Sequence, residues 1–182
     1  MHNVVSNFHC RVVRTQEEYL RAMAVRAACF DDSERLPYDR LYDGNDLCAT
    51  HVVVYRDREP VGTVRVRWFS GFAKLERTCI RSEFRSTVAL KVMAEYTHRH
   101  IAMKGYRVAI THAETKYATL WRRMLGYKIN RNKPSFQVAG HDGEYFELVK
   151  ELPALNSALT ENSDVKVLSR IEGDWDSPSP LE

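Results

Sequence analysis

Several residue groups in this chain have the types and spacing to do chemistry. Arg81, Arg85, Ser86 and Thr87 stand just ahead of a run in which Ala89, Val92, Met93, Tyr96 and His100 recur at helical spacing. Ser86 and Thr87 can cap that helix, whose first N–H groups and dipole favour an anion, and the two arginines can pair with phosphate oxygens. On spacing alone this is an ordinary capped helix with a solvated arginine. His98, His100 and His112 lack the i, i+4 pairing with a nearby acid that a zinc helix needs. His51 falls in a strand and His141 in a turn; each histidine is read as structural, and no metal is implied. Cys10, Cys29, Cys48 and Cys79 form no Cys-x-x-Cys pair and read as buried free thiols of a reducing compartment. Cys79, a strand thiol without a helix start or basic partner, reads as inert.

The elements that must position these groups follow from patterning. Thr15 with Glu18 three residues on is a capping box, starting a helix on Tyr19, Leu20, Met23, Ala24 and Ala27 that runs to about Phe30. A polar loop or short helix fills 31–45. Strands are expected at 50–56, 61–69 and 74–80, joined by turn chemistry into an antiparallel meander. A helix over 86–104 stops at Gly105, a short buried strand covers 106–111, and a helix over 113–125 stops at Gly126. Further strands are expected at 8–14, 127–132, 136–139 and 144–152, the last two flanking a turn at 140–143. Strand 74–80, the long helix and strand 106–111 make a βαβ crossover, which makes those two strands parallel. The expected fold is α/β, a mixed and mostly antiparallel sheet flanked by helices. One domain spans 1–152. Residues 153–182 read as a partly disordered extension, with one more strand or loose packing at 165–171 and a disordered tail from Gly173.

Composition narrows the function. The 182 residues are 44% hydrophobic and 28% charged with a net charge of +3, which suits one folded domain. That charge is too mild for a nucleic-acid binder, although it fits a local basic patch. No apolar stretch reaches membrane-spanning length and the first residues lack a signal-peptide core, so a cytoplasmic location is expected.

With these elements placed, the chain resembles the GNAT superfamily of N-acyltransferases over roughly residues 26–152. The resemblance rests on Cys29-Phe30 through Asp43-Gly-Asn-Asp46 and Ala49-Thr-His51, and on Pro60-Val-Gly-Thr-Val-Arg65. It continues in Ala73-Lys-Leu-Glu-Arg-Thr-Cys-Ile80 with the following loop, in Leu120-Trp-Arg-Arg-Met-Leu-Gly-Tyr127, and in the closing hairpin over 136–152. Two departures stand out. The carrier loop reads Arg85-Ser-Thr-Val-Ala-Leu90, with Val88 and Leu90 at the two small positions. Arg122, after Trp121, stands where many members place a general-acid tyrosine four residues before the late glycine.

The resemblance implies an enzyme, an acyltransferase that moves an acyl group, acetyl first, from a coenzyme A thioester to an amine by direct attack. Acetyl-CoA or a longer acyl-CoA would be the co-substrate, without metal. Cys79, Ile80, Arg81, Arg85, Ser86, Thr87 and Val88 would bind it, with backbone N–H groups near Cys79 and Ile80 polarising the thioester. Glu76 is the expected proton acceptor; otherwise it is a strand glutamate paired with Arg65, Arg67 or Lys74. Tyr117 or Arg122 would meet the leaving thiolate, Tyr117 being otherwise a packing aromatic. The acids Asp31, Asp32, Glu34, Asp39, Asp43 and Asp46 would form either a lid that attracts a cationic amine or a solvated loop. The expected partners are a small-molecule amine and, in family members, often a second copy of the chain. Two alternatives remain open. One is an acyl carrier protein-dependent synthase like those making acyl-homoserine lactones or N-acyl amino acids, docked through Arg81, Arg85, Lys91 and Arg99; Glu76 and Arg77 are adjacent here, whereas in those enzymes the equivalent pair is three apart. The other is a non-catalytic ligand-binding module of the same fold.

Overall fold

The computed structural model describes residues 7–31, 38–138 and 143–181. Ala139, the turn residues 140–142 with His141, Asp32, Glu34 and the side chain of Asp31 lie outside the described set.

The chain opens with β1 (Phe8–Val12), α1 (Gln16–Asp31) and the single-turn α2 (Tyr38–Leu41). The capping box forms: Thr15 Oγ1 accepts from Glu18 N at 3.2 Å, and the Glu18 carboxylate reaches back to Arg14 N at 2.7 Å. The meander is β2 (Thr50–Arg56), β3 (Glu59–Phe69) and β4 (Phe72–Ile80). A 3₁₀ turn at Ser82–Phe84 leads to α3 (Thr87–Met103), β5 (Val108–Glu114) and α4 (Thr115–Leu125). Ser86 caps α3 by accepting from Ala89 N at 3.1 Å, as its sequence position implies. Gly126 ends α4 at φ 74°, a left-handed conformation that a residue with a Cβ resists. Then come β6 (Lys128–Ile129), β7 (Phe136–Gln137) and β8 (Glu144–Glu151).

The strands form one sheet in the order β1-β2-β3-β4-β5-β8-β6, with β7 also paired to β8. The pair β4–β5 is parallel and its neighbours are antiparallel, the mixed α/β sheet expected from the sequence. Alternation along the meander divides two layers. Val52, Val54, Val64 and Val66 join Met93 of α3 and Trp121 of α4 in the main core, whereas Val53 and Tyr55 meet Ala22 and Met23 of α1.

The C-terminal extension does not follow the expectation of disorder. Val165–Leu168 forms α5 rather than a strand, and the segment lies along α3 and β1. Leu159 N donates to Met103 O at 2.7 Å, Tyr96 Oη donates to Gly173 O at 3.3 Å, and Lys104 pairs with Glu172 at 2.9 Å. Trp175 stacks on His100, with ring centres 6.1 Å apart.

Candidate active site

The parallel strands β4 and β5 are joined only at their beginning. Their registers are Ala73 with Ala109, Lys74 with Ile110 and Leu75 with Thr111. Thr111 Oγ1 closes this zipped part with a hydrogen bond to Leu75 O at 3.0 Å. Beyond it β4 pairs only with β3, and β5 only with β8. The two strands therefore fork, and the backbone groups on their facing edges have no ladder partner across the gap. A β-bulge bends β4 away. Arg65 faces Glu76 and Thr63 faces Cys79, so Val64 alone opposes Arg77 and Thr78. Arg77 sits at φ 50°, a conformation costing about 1–2 kcal/mol for a residue with a Cβ. Its guanidinium is tied down by Arg40 O at 2.5 Å and Asp43 at 3.4 Å. Gly62 makes the bend sterically possible, because a Cβ there would meet Cys79 O at 2.9 Å.

On the α3–α4 side the fork floor holds a cavity of about 10 Å³, lined among others by Thr78, Leu90, Met93 and Trp121. Thr78 Oγ1 is buried there without a hydrogen-bond partner. An orphaned hydroxyl at such a place is a polar group awaiting a ligand or a water.

The first residues beyond the zipped part are Glu76 on β4 and His112 on β5. The Glu76 carboxylate accepts from Arg65 Nη2 at 2.6 Å and Nε at 3.0 Å, and from Lys74 Nζ at 2.7 Å. Arg65, itself 2% exposed, also bonds Asp43 and Asp46, each at 2.8 Å. Arg26, fully buried on α1, bonds the same Asp46 oxygen at 2.7 Å and His51 Nδ1 at 3.2 Å. One buried network thus runs from α1 through the 42–49 loop to the tip of the fork. Burial by itself raises the Glu76 pKa, but Lys74 and Arg65 outweigh it and hold the carboxyl below its ordinary value. Asp43 is likewise held low: burial raises it, and its bonds from Arg65 and Asn45 more than reverse that. Asp43 and Asp46 are therefore inward anchors, not an open acidic lid, while Asp39 is exposed on α2.

His112 differs from His51, His98 and His100. His98 is half-buried on Tyr127 Oη at 2.8 Å, its pKa held down to about 3 by burial and the Lys150 charge, and His51 and His100 are buried. The His112 side chain is 32% exposed, its Nε2 lies 3.3 Å from Glu147 Oε2, and its ring meets the Phe136 ring edge-on at 5.0 Å. Burial and the Lys74 charge lower its pKa, partly offset by Glu147. Glu147, 8% exposed, also accepts from Asn130 Nδ2 at 2.7 Å and Lys133 Nζ at 2.8 Å. Nothing in the spacing of His112 and Glu147 marks them as partners; they meet because β5 and β8 pair in the register His112–Glu147.

The remaining expected site residues fall in two places. Cys79 and Ile80 lie on the diverged end of β4, and Arg85 Nε donates to Ile80 O at 3.0 Å. Ser86, Thr87 and Val88 form the exposed first turn of α3, and the Val88 side chain takes up the space that a glycine would open. Arg81 is paired with Glu59 and Glu83, both at 2.5 Å. Cys79 hydrogen-bonds the Cys29 thiol, and burial pushes its pKa well above 9, so it is no nucleophile. Cys48 is exposed, against the expectation of a buried thiol. On α4, Ala118, Trp121 and Leu125 face the core, which leaves Arg122 exposed and Tyr117 40% exposed with Lys116 over its ring. The indole of Trp121, not Arg122, borders the fork. Among the described residues no group of three metal-ligating side chains occurs, and no helix is long and apolar enough to cross a membrane.

No family model matches the chain. A Bacillus subtilis protein assigned as an acetyltransferase is 28% identical over 119 residues, 64% of this chain and 80% of its own length. The uncharacterized N-acetyltransferase YjcF of the same organism is 26% identical over 122 residues, 67% of this chain and 86% of its own. Among solved structures, an acyl-CoA N-acyltransferase from Pseudomonas aeruginosa superposes with a TM-score of 0.64 at 16% identity, covering 79% of this chain and 97% of its own. The acyl-homoserine-lactone synthase LasI superposes with a TM-score of 0.64 at 12% identity, covering 81% of this chain and 91% of its own. With the forked sheet and these likenesses together, the resemblance read from the sequence holds: the chain has the fold of the GNAT acyltransferases and is similar in sequence to proteins assigned as acetyltransferases.

Proposed function

We propose that the chain transfers an acyl group from an acyl-CoA thioester to a small-molecule amine by direct attack within the fork. The observation that carries this reading is the separation of β4 from β5 after Leu75 and Thr111. A thioester arm can take up the unpaired strand edges there, in the manner of an added strand. Backbone N–H groups of β4 near Cys79 and Ile80 would polarise its carbonyl, and the Thr78 hydroxyl would gain a partner. The first turn of α3, with Arg85, Ser86, Thr87 and Val88, faces the donor phosphates. Val88 and Leu90 keep that backbone from the closest approach, so Arg85 and the two hydroxyls carry more of the binding than in a glycine-rich loop. Tyr117 and Arg122 stand on α4 as candidates to meet the leaving thiolate, Arg122 through a shift of its exposed side chain. Glu76 anchors the β4 tip and sets the charge facing the amine.

Acyl carrier protein is the second reading for the donor. The glycine-free loop favours it, together with exposed Arg85, Lys91 and Arg99 beside that loop. A melting-temperature series with acetyl-CoA, a long-chain acyl-CoA and acylated carrier protein separates the cases, because a ligand bound only to the folded state raises the midpoint. Stabilisation by acetyl-CoA is expected. A response to carrier protein alone selects the second reading, and silence from all three removes the transferase and leaves a non-catalytic module.

A further inference from the structure

The fork presents two titratable groups side by side, and their environments differ in kind. Glu76 is ringed by three cations, Arg65, Lys74 and, at 3.8 Å, Arg67. A carboxylate so held is a weak base, since each bond from a cation is lost or weakened when it takes a proton. His112 meets one carboxylate, and its imidazole is partly open to the face of the sheet that α1 leaves uncovered beyond β4. We propose that His112 is the proton acceptor for the attacking amine, with Glu147 as the residue that positions it. This rests on the transferase reading and assigns the base within the same fork.

The chemistry follows from the tautomer. Nε2–H donates to Glu147, which leaves the Nδ1 lone pair as the acceptor. The bound ammonium gives one proton to Nδ1, and the freed nitrogen pair attacks the thioester carbonyl carbon. A C–N bond forms, the C–S bond breaks, and the departing thiolate takes up the second proton that the nitrogen loses on becoming an amide. The imidazolium, stabilised by Glu147, returns its proton to solvent, so the products are an amide, a thiol and one proton. Glu147 is suited to the holding role because Asn130, on the segment after β6, and Lys133 fix its two oxygens. Among the described residues, the charged groups facing His112 are Lys74 and Glu76 on β4, Glu147 on β8 and Lys133 before β7. Burial and Lys74 keep the imidazole neutral at pH 7, the form a base must have.

The test uses acetyl-CoA, a panel of amino acids and polyamines as amines, and water alone, with thiol release as readout. His112→Asn is expected to lower thiol release about 10²–10⁴-fold while the acetyl-CoA melting shift persists. In the intact protein the rate falls as pH drops through the His112 value, below the ordinary histidine range. Lys74→Met moves that limb to higher pH and Glu147→Gln moves it to lower pH, which a purely structural Glu147 would not do. Free imidazole restores part of the rate to His112→Gly. Undiminished thiol release and an unmoved acid limb in His112→Asn would overturn the assignment while leaving the transferase intact. Absence of any melting shift with acetyl-CoA, a long-chain acyl-CoA and acylated carrier protein would remove the transferase reading itself.

Discussion

The two prongs of the fork are built by opposite means. The β4 prong starts at Glu76, locked through Arg65 into a network in which Arg26 and Arg65 are essentially inaccessible. The β5 prong starts at His112, held by one hydrogen bond to Glu147 and partly open. A side chain satisfied on every oxygen resists change and gives rigidity, whereas one held at a single atom keeps the other atom for chemistry. A bent strand that leaves its neighbour needs an anchor, and on β4 the buried charges supply it.

The sharpest way to break this contrast is Arg65→Met. It leaves Asp46 and Glu76 with fewer partners in the interior, and a loss of about 3–5 kcal/mol in urea unfolding is expected. A loss below about 1 kcal/mol would mean that the network does not hold β4. Glu76→Gln should cost less, about 1–3 kcal/mol, because the amide keeps one acceptor oxygen for Arg65. Acid should act in the same direction. Asp43, Asp46 and Glu76 have folded pKa values below their unfolded ones, so their contribution is complete above the ordinary carboxylate range and disappears as pH falls through the folded values. Urea midpoints should therefore start to drop below about pH 5 and keep falling toward about pH 2, and the drop should be shallower in Glu76→Gln. The smallest stability effect belongs to His112→Asn, within about 0.5 kcal/mol, as for a partly exposed side chain. A large loss there would make His112 a structural residue and erase the contrast.

The sequence displayed the architecture well, because helices and strands of the meander announce themselves locally. Thr15 and Ser86 capped their helices as their types demand, and Gly105 and Gly126 ended theirs. The Val61–Ile80 hairpin was legible through alternation and the Ser70-Gly71 break. What stayed hidden depends on register. Arg77 at positive φ is invisible, since no glycine marks it, and the bulge it creates sets which face Cys79 presents. His112 looked like its neighbours His98 and His100 until pairing with β8 put Glu147 beside it. Asp43 and Asp46 looked like a polar loop because the arginines that bury them lie on α1 and β3. The extension faded in pattern because it is held by scattered polar contacts to α3 and to Arg14 just after β1 rather than by an apolar stripe of its own.

That docked extension has a use at the bench. Trp175 comes from near the end of the chain yet rests against His100 in the last turn of α3, with Trp68 meeting the same imidazole edge-on. Indole emission from that stack is a built-in gauge of whether the last segment is seated. Its brightness can be followed during unfolding independently of the melting midpoint, and a protease that clips the segment would announce itself in the light before the sheet gives way.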